Sequence, residues 1–130
     1  MTPVPTLFDS VADKDYLHLL NGSEPNYKEV LNLTGFEKKD ISRATGVSQS
    51  SIRYDGKVPQ EIRERFLEWA NLFNLVAQHF NGDIDKTALW LQVRNPFLGD
   101  ISPKDMIRIG RYKKLISFVQ SSLNENRRAS

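Results

Sequence analysis

The feature that most limits how this chain can fold is an apolar stripe between Pro59 and Phe80. Ile62, Phe66, Trp69, Phe73, Val76 and Phe80 recur at alternating spacings of four and three, with Ala70, Leu72 and Ala77 beside them. Each residue of an α-helix turns by about 100°, so this alternation gathers the large side chains on one face. Pro59 suits a first helical turn, and Asn81-Gly82-Asp83 closes the pattern. A helix of this length spans about 30 Å and reads as a long connecting helix.

The flanking segments supply the partners. Residues 11–20, VADKDYLHLL, read as a short helix stopped by Asn21-Gly22, and residues 26–33 as another that ends at Thr34-Gly35. Two short helical patterns follow around Gly46, over 37–45 and 48–54, with Asp55-Gly56 closing the second. Beyond the stripe come a helix over 84–93 with Ala88, Leu91 and Leu89 inward, a short helix capped by Ser102-Pro103, and a last helix over 111–124. Leu115, Ile116, Val119 and Leu123 form the buried side of that last helix. No window combines alternating polarity with β-branched or aromatic enrichment. The predicted fold is therefore all-α: an N-terminal helix-turn-helix bundle joined by a long helix to a small C-terminal helical module. In these terms residues 1–25 form a leader with Pro3 and Pro5 plus the short helix. Residues 26–80 form the helix-turn-helix unit with its connecting helix, 81–124 the C-terminal module, and 125–130 a flexible tail.

Composition excludes several classes of function. With no cysteine there is no disulfide framework and no thiolate metal site, and the only histidines, His18 and His79, are far apart. No metal and no cofactor is expected. The first ten residues lack a basic start and an apolar run, so no signal peptide is expected; no segment is long and apolar enough to span a bilayer, and a cytoplasmic location is the simplest expectation. Catalysis needs a nucleophile with a base, paired carboxylates in a cleft, or a metal. Glu61, Glu64 and Glu68 instead lie on the polar side of a helix, and no glycine-rich phosphate loop is present, so an enzyme is not expected. The net charge of +2 is unevenly spread: residues 93–130 carry eight Lys/Arg against three Asp/Glu, while residues 1–58 carry seven against eight.

The segment FEKKDISRATGVSQSSIRYDGKVP has the requirements of a helix-turn-helix. Ser42 is small where two helices would touch, Gly46 permits the left-handed turn, and Ile41, Val47 and Ile52 point to a core. Ser48 would cap a second helix whose outer face presents Gln49, Ser50, Ser51 and Arg53. Gln pairs with adenine, Arg with guanine or phosphate, and hydroxyls with phosphate oxygens. Lys38, Lys39, Arg43 and Lys57 flank this face, so the stretch from Lys38 to Lys57 holds five basic and two acidic residues. A plain helical hairpin with a glycine turn satisfies the same pattern.

A second constellation, TALWLQVRNPFLGDISPKDMI, places Trp90 in a helix, where a core position is expected. A turn set by Asn95-Pro96 and Leu98-Gly99 follows. Phe97 and Leu98 are expected inside the domain; exposed, they would make a partner patch. Arg94, Lys104, Arg108, Arg111, Lys113 and Lys114 surround the loop and the start of the last helix. They read as a solvated basic face, a docking surface for an acidic or nucleotide-handling protein, or added contacts to DNA phosphate.

Together the two segments resemble antitoxins of the Xre/MbcA/ParS type over roughly Tyr27 to Leu123. The most specific parts are ATGVSQSSIRYDGKVP and ALWLQVRNPFLGDISPKDMI. The second carries the family's order at Trp90-Leu91, Asn95-Pro96, Leu98-Gly99, Pro103, Met106 and Ile107, with Gly110 before the final helix. The resemblance implies an antitoxin of a type II toxin–antitoxin system, commonly a dimer, whose partner is a RES-type toxin that attacks NAD. It implies that Gln49, Ser50, Ser51 and Arg53, with Lys38, Lys39, Arg43, Ser48 and Lys57, face operator DNA. It also implies that Arg94, Asn95, Pro96, Phe97, Leu98, Arg111, Lys114, Arg127 and Arg128 face toxin. The rival readings are a stand-alone helix-turn-helix regulator without a toxin and a protein-only adaptor.

Overall fold

The computed structural model describes residues 11–129, with side chains described for residues 11–123. The predicted leader over residues 1–10 and the side chains of Arg127 and Arg128 lie outside the described residues. Six α-helices occur among the described residues: α1 (Tyr27–Thr34), α2 (Lys38–Thr45), α3 (Gln60–His79), α4 (Ile84–Gln92), α5 (Pro103–Arg108) and α6 (Tyr112–Ala129). The only described strands are β1 (Leu20–Asn21) and β2 (Glu24–Pro25), which pair antiparallel. The predicted all-α class holds.

Helix α3, expected to connect two units, is the axis around which both pack. Ile62, Phe66, Trp69, Phe73 and Val76 are buried, and Phe80 at its end is half-buried. Aromatic packing ties the N-terminal elements to it: Phe66 lies 5.2 Å from Tyr27 of α1 and 5.7 Å from Tyr54, while Trp69 meets the edge of Phe36 at 5.7 Å. The C-terminal elements cover the rest through Leu91, Met106, Ile107, Leu115 and Val119. One continuous core therefore serves both halves. Across it Arg108 of α5 reaches Asp40 of α2 at 3.3 Å while holding Asp105 at 2.6 Å, and its guanidinium lies 5.5 Å from the Phe36 ring.

Three elements depart from the sequence reading. Residues 11–20 form no helix. Their backbone runs through bends and turns along α3, where side-chain amides take its N–H groups: Ala12 donates to Asn71 at 3.0 Å, Asp13 to Gln78 at 2.9 Å and Leu17 to Asn74 at 3.0 Å. Asp15 accepts from Leu19, Leu20 and the Asn74 amide, which fixes the turn into β1. The last helix runs to Ala129 rather than stopping at Asn124; no Gly or Pro interrupts 124–129.

The third departure concerns the predicted second helix over 48–54. It is a single 3-10 turn, Gln49–Ser51, after which Ile52 is extended (φ −73°, ψ 124°) and buried. Ser48 does not cap it: its hydroxyl bonds to Ser51 Oγ at 2.9 Å. A run of Ser, Gln, Ser and Ser offers side-chain alternatives to the backbone ladder, and anchoring Ile52 inward ends the turn before an α-helix can propagate. The preceding α2 and its turn match the prediction: Gly46 is left-handed (φ 81°) and its N–H closes on Ser42 at 2.8 Å.

Among the described residues no helix is long and apolar enough to cross a membrane, and no group of three or more His, Cys, Asp or Glu is arranged to hold a metal ion.

Candidate docking faces

The loop after α4 is closed by its own backbone. Asn95 donates to the Ile101 carbonyl at 3.0 Å, and its own carbonyl accepts from Leu98 at 2.9 Å and Asp100 at 3.0 Å. The Asn95 side chain caps the 3-10 turn Pro96–Leu98 by accepting from Phe97 N–H at 2.9 Å. Gly99 (φ 83°) then reverses the chain. The next helix begins at once: Ser102 accepts from Asp105 N–H at 3.1 Å, with Pro103 in the first turn.

This closed loop sends its two apolar side chains in opposite directions. Leu98 is buried, as predicted, and so has no direct contact to offer a partner. Phe97 is 84% exposed, which corrects the expectation that it packs inside. Its ring stacks on Phe118 of α6, with centroids 6.4 Å apart. Leu89, expected inward, is instead exposed, as is Val93, while Leu91 fills the core position on the other side of α4. Trp90, expected in the core, is only half-buried.

Trp90 divides two neighbouring hollows. One, of about 260 Å³, is lined by Val76 and Phe80 of α3, by Trp90 and Asn95, and by Phe118 and Leu123 of α6 among others. The other, about 320 Å³, is lined by Phe80, Lys86, Leu89, Trp90, Val93 and Arg94 with Asn95. The spacing Lys86, Leu89, Trp90, Val93 follows one helical face. The result is an apolar surface with aromatic walls, an aromatic knob at Phe97 and cations at its edge.

Of the residues the resemblance assigns to toxin, Arg94, Asn95, Pro96 and Phe97 come together here, Pro96 and Arg94 being exposed. Arg111 and Lys114 do not line either hollow. They belong to a larger open cleft of about 990 Å³ between Ala44 of α2, Arg65 and Glu68 of α3, and Arg111, Lys113 and Lys114 at the start of α6. Trp69 and Ile107 form its buried floor. Arg65 holds Glu68 at 2.6 Å. Tyr112 donates to the Glu68 carbonyl at 3.0 Å, and burial pushes the Tyr112 phenol well above its ordinary value.

All nine residues assigned to DNA are exposed: Lys38, Lys39, Arg43, Ser48, Gln49, Ser50, Ser51, Arg53 and Lys57. They do not form the expected array on a helix. Arg53 turns back on its own loop, donating to the Asp55 carbonyl at 2.9 Å, with the Asp55 carboxylate at 3.5 Å. Lys39 lies 3.5 Å from Glu37. Phe80, Leu89, Trp90, Val93 and Phe118 escaped the sequence assignment. The signal that could have found Leu89, Trp90 and Val93 was the second apolar face of α4, offset from Leu91; Phe80 and Phe118 come from other helices and carry no such local signal.

No family model matches the sequence, and no curated protein matches it. Among solved structures, the chain is similar to one chain in a crystal structure of the M. tuberculosis MbcT-MbcA toxin-antitoxin complex. The TM-score is 0.45 at 16% identity, over 72% of this chain and 86% of that one.

Proposed function

We propose that this chain is the antitoxin of a type II toxin–antitoxin pair. It neutralises a RES-type, NAD-targeting toxin by direct binding and, as a homodimer, represses their operon through operator DNA. The observation that carries the first part is Phe97. A ring that a firmly closed loop holds 84% exposed, resting on Phe118, presents a fixed apolar surface for a partner to cover. Its surroundings have the make-up of a protein interface: apolar hollows beside an aromatic anchor, with Arg94 and Lys86 at the rim. The family resemblance of residues 88–107, which contain this loop, supports a toxin as that partner.

Co-expression of the chain with the enzyme encoded beside it tests this reading. Growth rescue, a stable pull-down and loss of the toxin's NAD consumption are expected together. A neighbour that neither binds nor is inhibited overturns it.

A second reading, a stand-alone transcriptional regulator, is favoured by the exposed basic and polar set over 38–57 and is separated by the same experiment. A regulator without a toxin binds its own promoter and rescues no growth.

A further inference from the structure

The open cleft between α2, α3 and the start of α6 differs in kind from the Phe97 face. Arg111, Lys113 and Lys114 are exposed, and none has a carboxylate within ion-pair distance among the described residues. The acid in the wall, Glu68, pairs with Arg65 at 2.6 Å, and Arg65 also meets Glu64 at 3.8 Å, so this group leaves one negative charge against the three cations of the cleft's other wall. The field inside the cleft is therefore positive, although the chain carries a net charge of only +2.

Trp69 and Ile107, the large apolar side chains of its floor, are each 1% exposed, so its apolar surface comes from half-buried Ala44 and Tyr112 and carries no exposed aromatic or aliphatic anchor. Protein partners dock around an apolar centre from which charges are depleted, whereas surfaces that take nucleic acid are polar and strongly cationic and bind mainly phosphate oxygens. By that criterion the Phe97 face suits a protein and this cleft suits phosphate.

We propose that the cleft binds the phosphodiester backbone of duplex DNA through Arg111, Lys113 and Lys114, without reading base sequence. The inference rests on the DNA-binding part of the function proposed above. It moves the main source of affinity from the 48–54 turn, which is one 3-10 turn with Arg53 engaged by Asp55, to the start of α6. It also takes Arg111 and Lys114 out of the toxin-facing set.

The test measures fluorescence anisotropy of a labelled duplex of arbitrary sequence, about two helical turns long, over a range of salt. Wild type is compared with the triple variant R111Q/K113Q/K114Q, with K113Q alone, and with Q49A/R53A; polyglutamate serves as an acidic-polypeptide probe. All substituted side chains are exposed, so thermal melts are expected to coincide with wild type. Every phosphate that a variant no longer neutralises flattens the plot of log affinity against log salt by about 0.9. The triple variant is expected to flatten it by about 2–3 and to weaken low-salt binding at least about tenfold, K113Q by about 1, and Q49A/R53A hardly at all. An unchanged slope in the triple variant, with DNA still bound, overturns this inference and leaves the proposed function standing. No binding of this duplex by wild type overturns this inference; the DNA-binding part of that function falls as well when wild type also fails to bind a duplex of its own promoter. Binding of polyglutamate, abolished in the triple variant, with DNA ignored, makes the cleft a protein site and overturns the inference as well.

Discussion

Phe97 and Leu98 occupy successive positions in a 3-10 turn, where neighbours are about 120° apart, and the Asn95 cap fixes which of them meets the core. Leu98→Ala removes buried volume and is expected to destabilise by about 2–4 kcal/mol in chemical denaturation. Phe97→Ala is expected to shift stability by no more than about 0.5 kcal/mol, yet to weaken toxin binding by about 2 kcal/mol or more in calorimetry. Reversed effects would mean that the ring is structural. The turn residues around this pair were legible in the sequence, because Asn-Pro and Leu-Gly restrict the backbone locally. The direction of each side chain was not, since a turn of this length has no periodicity to read. Electrostatics at this scale give a second prediction. Arg63 bonds to Glu24 at 2.7 Å and holds the Glu24 carboxyl below its ordinary value of 4.5. A carboxyl whose folded value is depressed contributes stability above its unfolded value and loses it as pH falls through the folded one. The stability difference between wild type and Glu24→Gln should therefore be present at neutral pH and fade below about pH 4.5 in paired pH-dependent melts.

At the scale of elements, α3 was readable because six large apolar residues repeat on one face; the segment before β1 was not, because what organises it lies some sixty positions away. Asn71, Asn74 and Gln78 form a polar edge on α3 that takes backbone N–H groups from residues 12–17, and no local pattern announces such a pairing. Tertiary hydrogen bonds thus override the helical propensity of VADKDYLHLL. Asn74 is the centre of this docking: buried, it accepts from Leu17 and donates to Asp15. Asn74→Ala leaves the Leu17 N–H without its partner and is expected to destabilise by about 1–3 kcal/mol. Hydrogen exchange should locate the loss at Leu17 and Leu19; unchanged protection there would contradict the assigned role. The 48–54 turn shows the opposite limit. Its residues and its glycine entry were legible, but three serines around Gln49 and an inward Ile52 leave too short a run to nucleate an α-helix.

Across the whole molecule, a single core joins the segment resembling a DNA-binding unit to the segment resembling a toxin-binding one. Met106, Ile107, Leu115 and Val119 belong to the same cluster as Phe66, Trp69 and Phe73. Removing residues 94–130 is thus expected to abolish cooperative melting rather than to release an intact N-terminal half; a sharp transition in the truncated chain would show that the halves fold apart. The two candidate surfaces differ in chemistry, apolar around Phe97 and cationic around Arg111. Nothing in the sequence separates Arg94 from Arg111 and Lys114, because proximity along the chain does not say which side of α6 a residue faces. The most direct measurement of the central claim is inhibition of the neighbouring enzyme's NAD consumption by purified wild type, F97D/R94E and Q49A/R53A. Stoichiometric inhibition by wild type and by Q49A/R53A, with its loss in F97D/R94E at an unchanged melting temperature, is the predicted result. Full inhibition by F97D/R94E, or none by wild type, would contradict the account.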